Sequence, residues 1–361
     1  WSSDVCSSDL PTGIAHGTVT AVVGTKHFEI TTLRRDVETD GRRAKVAFTD
    51  DWTADAARRD FTINAIYAEP DGTLHDPFGG AGDLAAGRVR FVGDAEQRIR
   101  EDVLRLLRFF RFQAHYGRAA PDVEGLAACR KLSPLLPGLS GERIAGETIK
   151  LLRAPDPVAI AALMLAEGIW TPILPQLRDL PRLRALVAIE AAVASPDALR
   201  RLAALLPAEA ASALAVAERL RLSNVERDRL VALAAPTVGV EPTPAAATWH
   251  RDARRVGAAN YADAVMLAWA GAQAAKDATR AATLRAHWQS ARAWTPPEFP
   301  LKGRDALAAG LAHGPAVGEA LAQVEAWWEA GDYCATREEC LAKLHELAAR
   351  GAGTAASTPR S

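Results

Sequence analysis

The chain has 361 residues, 49% of them hydrophobic, with 43 Lys and Arg against 44 Asp and Glu and a formal net charge of −1. That length suffices for two or more domains and a buried core, and the even charge balance excludes a global positive field, so nucleic-acid binding would need a local patch. No run of eighteen apolar residues occurs, because the Ala/Leu-rich stretches between 184 and 235 are broken by Arg, Glu, Asp and Pro; a soluble cytoplasmic protein without membrane association is expected. Cys6, Cys129, Cys334 and Cys340 lack metal-ligand spacing and read as reduced thiols, and no protein partner is legible.

Residues 1–10 continue no pattern in the chain, resemble a translated sequencing-library adapter, and are set aside from fold reasoning. Residues 18–23, a turn at Gly24-Thr25-Lys26 and residues 27–32 then read as a β-hairpin of β-branched and aromatic residues. Glu29 falls mid-strand, where an acid needs a reason or faces water at an edge. Arg34, Arg35, Arg42, Arg43 and Lys45 form one basic cluster. Gly24 and Gly72 mark tight turns, and Asp76-Pro77-Phe78-Gly79-Gly80 closes the mixed region. His75-Asp76 lies in a turn, and the remaining histidines show no ligand spacing, so no metal site is expected there.

Beyond Asp94 the signals are helical. On one helix over 98–112, Arg98, Glu101/Asp102, Arg105, Arg108 and Phe112 would share a face, with Ile99, Val103, Leu106/Leu107 and Phe110 on another. An Asp acceptor beside an Arg donor matches the amine and ring nitrogen on the Watson–Crick edges of both cytosine and adenine and mismatches guanine and uracil. A solvated helix laced with ion pairs is the plain alternative. Between 88 and 111, seven arginines (88, 90, 98, 100, 105, 108 and 111) outnumber four acids and form a second basic cluster. Ser195-Pro196-Asp197 reads as an N-cap with Pro at the first helical position, and Ser223 to Glu226 as a capping box. Proline-rich breaks at 236–244 and 296–300 separate helical blocks; Gly314 to Gly318 opens a helix, which capping alone explains or whose free amides could hold a phosphate, and 351–361 is expected to fray.

The ordered trio Arg58-Arg59-Asp60-Phe61-Thr62-Ile63-Asn64-Ala65, Asp76-Pro77-Phe78-Gly79-Gly80 and Glu101-Asp102-Val103-Leu104-Arg105-Leu106-Leu107-Arg108 resembles the class II CCA tRNA nucleotidyltransferase and bacterial poly(A) polymerase family. Gly13-Ile14-Ala15-His16-Gly17-Thr18, Phe28-Glu29-Ile30-Thr31-Thr32-Leu33-Arg34 and Ser140-Gly141-Glu142-Arg143-Ile144 extend the likeness. The family's GGxxRD loop and DxD pair do not occur in this sequence.

The resemblance implies an α+β fold: a nucleotidyltransferase-type mixed α/β head, truncated at its N-terminus, followed by an elongated all-α neck, body and tail. The expected divisions are a partial head at 11–93, a neck at 94–165, a body at 166–295, a tRNA-binding tail at 296–350 and a disordered end at 351–361. It implies addition of C and A to the tRNA 3′ end from CTP and ATP, with Mg²⁺ as cofactor. Glu29 would be the third metal carboxylate; Arg58, Arg59, Asp60 and Asn64 would order the nucleotide; Asp102 and Arg105 would read its base, and Arg108 would orient that pair or contact phosphate. Arg111, Arg143, Gly314 and Gly318 are expected to contact RNA. Poly(A), A-only or CC-only addition stays open, and without the DxD pair the expectation for this sequence is RNA binding without catalysis.

Overall fold

Short strands open the chain and helices fill the rest, as the switch in hydrophobic periodicity predicts. The computed structural model describes residues 8–10, 18–40, 43–241 and 246–355, and their side chains except those of 8–10, 18, 35–40, 43–46, 246–247 and 350–355. Strands β1 (Ser8–Leu10), β2 (Thr18–Val23) and β3 (Lys26–Thr31) form an antiparallel sheet in that order, and Gly24, at φ 61°, supplies the left-handed turn between β2 and β3. β1 falls in the segment set aside by its sequence, yet it pairs Ser8 with Val22 along the edge of β2. Ladder bonds ask nothing of side chains, so any extended segment can take an open edge. The glycine–histidine motif between 13 and 17 lies outside the described residues, as does Arg42. β4 (Arg34–Asp40) and β5 (Arg43–Phe48) form a second hairpin with a bulge between Asp36 and Glu38.

Asp51 caps α1 (Trp52–Ala57) by accepting the Thr53 amide at 2.8 Å. A 3₁₀ turn at Thr62–Asn64 follows, then a two-residue-per-strand hairpin of β6 (Tyr67–Ala68) and β7 (Leu74–His75), then α2 (Gly80–Ala86). The Asp76 carboxylate accepts the amides of Gly80 at 2.6 Å and Ala81 at 2.9 Å, so the Asp-Pro-Phe-Gly-Gly segment is a helix cap. A Cβ on Gly80 would lie 2.0 Å from the Thr62 carbonyl oxygen; only glycine lets α2 close on the 3₁₀ turn.

The remaining helices are α3 (Ala95–Glu101), α4 (Leu104–Tyr116), α5 (Val123–Leu132), α6 (Gly141–Leu152), α7 (Val158–Ala166), α8 (Leu180–Val193), α9 (Ala198–Ala204), α10 (Ala210–Arg219), α11 (Asn224–Ala234), α12 (Ala246–Val256), α13 (Ala258–Ala274), α14 (Ala278–Ala293), α15 (Gly303–Ala308), α16 (Pro315–Ala330) and α17 (Arg337–Ala355). Three expectations change here. The single helix over 98–112 is two, because Asp102 sits in extended backbone (φ −153°, ψ 105°) and its carboxylate accepts the Leu104 amide at 3.1 Å, starting a new helix. The cap of α9 is Asp197, which accepts the Arg200 amide at 2.8 Å; the Ser195 carbonyl instead accepts from the Arg200 guanidinium at 2.8 Å. α17 runs on to Ala355, since a nucleated helix gains one hydrogen bond per added residue. The Ser223–Glu226 capping box forms as read.

One apolar core runs from Phe61 and Phe91 through Phe109, Phe110, Ile144, Trp170 and Leu202 to Trp288, so the end of the head shares it with neck and body. A separate cluster of Leu301, Val324, Trp328 and Leu344 belongs to α15, α16 and α17.

Candidate nucleotide-binding site

The site forms where the C-terminal end of α1 meets the α3–α4 junction. Asp55, three and four residues before Arg58 and Arg59, is 1% exposed. Its carboxylate takes Arg58 Nη2 at 2.5 Å, Arg59 Nη2 at 3.1 Å, the Tyr67 hydroxyl at 2.6 Å and the Arg34 amide at 3.1 Å. Burial pushes its pKa up, but the hydrogen bonds from Tyr67, Arg58 and the Arg34 amide, with the Arg58 charge, outweigh it and hold the pKa at about 2. Burial, and then the bond to this carboxylate, lift the Tyr67 hydroxyl to about 12. Sequence reading did not single out Asp55 or Tyr67; the i+3 and i+4 arginines after Asp55 were the available signal.

Asp60 closes the next layer. One oxygen accepts the Phe61 amide at 2.9 Å and Asn64 Nδ2 at 3.0 Å, while the other takes Arg108 at 2.6 Å across 48 residues of sequence. The end of α1 is also held from the helical side: Arg98 donates to the Ala57 carbonyl at 2.9 Å and Arg105 to the Arg58 carbonyl at 3.0 Å. Beneath, Phe61 packs on Phe91 and Phe112 at centroid distances of 4.9 and 5.1 Å. Asp60 thus joins Asn64 and Arg108 through one carboxylate, and Arg105 meets the Arg58 carbonyl beside it.

Asp102 and Arg105 do not pair. The backbone turn at Asp102 swings its carboxylate to Arg143, whose Nη2 lies 2.8 Å from both oxygens, while Arg105 binds Glu101 at 2.7 Å and the Arg98 carbonyl at 3.1 Å. Arg143 reaches Asp102 because α6 packs along α4, and α6 also starts hard against the end of α10, where a Cβ on Gly141 would lie 2.4 Å from the Arg219 carbonyl. Hydrogen-bonding capacity remains on both groups. Arg105 has five N–H donors and uses three, and Asp102 stays 29% exposed with lone pairs to spare. Phe112, assigned to the polar face, is buried under Arg108 and Arg111 at 5.4 and 4.2 Å from its centroid.

The arginine-rich stretch is not a free basic patch. Arg88 and Arg90 both pair with Asp83, Arg98 and Arg105 with Glu101, Arg100 with Glu96, and Arg108 with Asp60. Arg111 is held by Glu147 at 2.6 Å, so neither it nor Arg143 stands unpaired toward RNA. Gly314, at φ 141°, is the N-cap of α16 and Gly318 lies on it, and this helix packs on α12, α15 and α17. In the other basic cluster, the side chains of Arg35, Arg43 and Lys45 lie outside the described ones. Glu29 is exposed opposite Thr20, and among the described residues no group of three or more His, Cys, Asp or Glu side chains could hold a metal ion. His75 binds Glu69 at 2.5 Å, away from the capping carboxylate of Asp76.

Comparison with known proteins bears on this geometry. Residues 4–90 match the model for the poly A polymerase head domain, and residues 122–180 that for a probable RNA and SrmB-binding site of polymerase A. Over 145 residues the chain is 53% identical to the human mitochondrial CCA tRNA nucleotidyltransferase 1, a match covering 39% of this chain and 33% of that protein. It is 40% identical over 163 residues to the CCA-adding enzyme of Geobacillus stearothermophilus, covering 44% of this chain and 40% of that one. The matched stretches thus span well under half the length of these relatives. The solved structure of the Bacillus stearothermophilus CCA-adding enzyme in complex with CTP superposes with a TM-score of 0.67 at 26% identity, covering 97% of this chain and 86% of that one.

Proposed function

We propose that the chain is a member of the class II CCA tRNA nucleotidyltransferase and bacterial poly(A) polymerase family and that its site binds CTP and ATP for template-independent addition to the 3′ end of tRNA. The observation that carries this reading is the bridge between two segments far apart in sequence: Asp60 with Arg108, and the Arg58 carbonyl with Arg105. Arg58, Arg59, Asp60 and Asn64 order the sugar and phosphates. Asp102 accepts from the exocyclic amine of cytosine or adenine, and Arg105 donates to the ring nitrogen, so guanine and uracil meet like against like. Arg108 holds Asp60 in place while this occurs.

Nucleotidyl transfer itself calls for divalent ions held by carboxylates, and Mg²⁺ suits oxygen ligands. Glu29, exposed on β3, would serve as one such carboxylate, and the other named residues bind and select. The second reading is RNA binding without transfer. We place its work in the cytoplasm, with tRNA as partner. The test offers CTP alone and then ATP alone to tRNA lacking its terminal bases, beside equilibrium binding of all four nucleotides. Tighter binding of CTP and ATP than of GTP and UTP supports the site assignment, and equal binding overturns it. Incorporation of C and then A, free of host enzyme, supports CCA addition and refutes the second reading; A alone would mean poly(A) or A-only addition.

A further inference from the structure

A ladder of rings climbs from the site to the surface, and the proposed reaction as assigned above leaves it unused. The Arg59 guanidinium lies 4.8 Å from the Tyr67 centroid, and Tyr67 meets Trp52 edge to face at 4.8 Å. Trp52 in turn stacks on His75 at 5.2 Å with the planes 8° apart. Trp170, Trp249, Trp269, Trp288 and Trp328 are buried, whereas Trp52 keeps 38% of its surface in solvent and the His75 side chain 35%; Trp327, at 40%, is exposed on α16, away from the candidate site. A large indole held rigid by two ring neighbours and left open has the form of a binding platform.

Its place fits an RNA end. Trp52 is the first residue of α1, whose far end leads into Arg58 and Asp60. Six residues of helix make that about 9 Å, the span of two to three stacked nucleotides. An enzyme that extends RNA without a template must hold an unpaired end whose last base changes with each addition. Hydrogen-bond readout serves one base at a time; an aromatic face serves all, because every base has a π-face.

We infer that Trp52, braced by Tyr67 and His75, is the stacking platform for the unpaired 3′ end of the RNA. The inference rests on the proposed function and adds a residue and a ligand segment to it. The test uses the whole chain and two RNA hairpins, one with a two-nucleotide unpaired 3′ end and one blunt, followed by fluorescence anisotropy. The wild type should prefer the overhang about tenfold, with little dependence on its bases. Trp52→Ala should erase that preference and leave blunt-hairpin and CTP binding unchanged, while Trp52→Phe restores most of it. An overhang preference that survives Trp52→Ala, or a loss equal for both hairpins, overturns the platform. If the wild type binds neither hairpin, the proposed function falls as well; if it binds both and Trp52→Ala changes nothing, the platform alone falls.

Discussion

In the body, Glu190 is 0% exposed at its side chain and binds Arg201 at 2.6 Å and Arg200 at 2.7 Å, with Asp263 taking Arg200 at 2.5 Å. Arg201 also donates to the Leu152 and Ala154 carbonyls at 2.7 and 2.6 Å, fastening the end of α6 to α9. Around the proposed nucleotide site the same chemistry is laid out differently: Asp102 and Arg143 remain 29% and 30% exposed, and Arg108 is 31% exposed. A sealed pair cannot trade partners without stranding a charge in a dry interior, whereas a half-wetted pair can share its lone pairs and donors with a ligand. At Asp102, Arg143 and Arg108 solvent access distinguishes the site from the body network, while Asp60 is as closed as the scaffold.

The comparison breaks most visibly at Glu190. Glu190→Ala leaves Arg201 charged and buried and should cost about 3–5 kcal/mol in urea unfolding. A loss below about 1 kcal/mol would mean that the body network is as exchangeable as the site.

Asp55, a sealed carboxylate within the site region, tests the same idea through pH. Its folded pKa of about 2 lies below the ordinary 3.8, so its contribution is complete above the unfolded value and is lost as pH falls from about 4 through 2. The difference amounts to about 2 kcal/mol and should vanish from the acid-unfolding profile of Asp55→Asn.

Arg108→Ala should cost about 1 kcal/mol of stability, in the range of solvated pairs, while weakening CTP binding at least about fivefold. A stability loss as large as that of Glu190→Ala would place this pair with the scaffold. The smallest stability effect is expected for Asp102→Ala, below about 1 kcal/mol, with discrimination of CTP and ATP against GTP and UTP falling about tenfold. Unchanged discrimination in a nucleotide competition assay would show that the base is read elsewhere.

What the sequence determined by itself was local or ordered along the chain: the Gly24 turn, the Ser223–Glu226 capping box, the proline breaks beside α12 and α15, and the motif order that carries the family resemblance. Such signals act over a few residues, where backbone geometry and neighbouring hydrogen bonds decide the outcome. The helix break at Asp102 was local too, but the carboxylate's competition for the Leu104 amide was hidden beneath a continuous helical pattern. Only the tertiary structure decided which arginine meets which acid. Arg108 finds Asp60 across 48 residues, Arg143 finds Asp102 across 41 and Arg111 finds Glu147 across 36. Charge alone cannot choose among the 43 cations and 44 anions of the chain, because each attracts every opposite charge; the packing of α3, α4 and α6 chooses, by bringing a few within reach and keeping the rest in water.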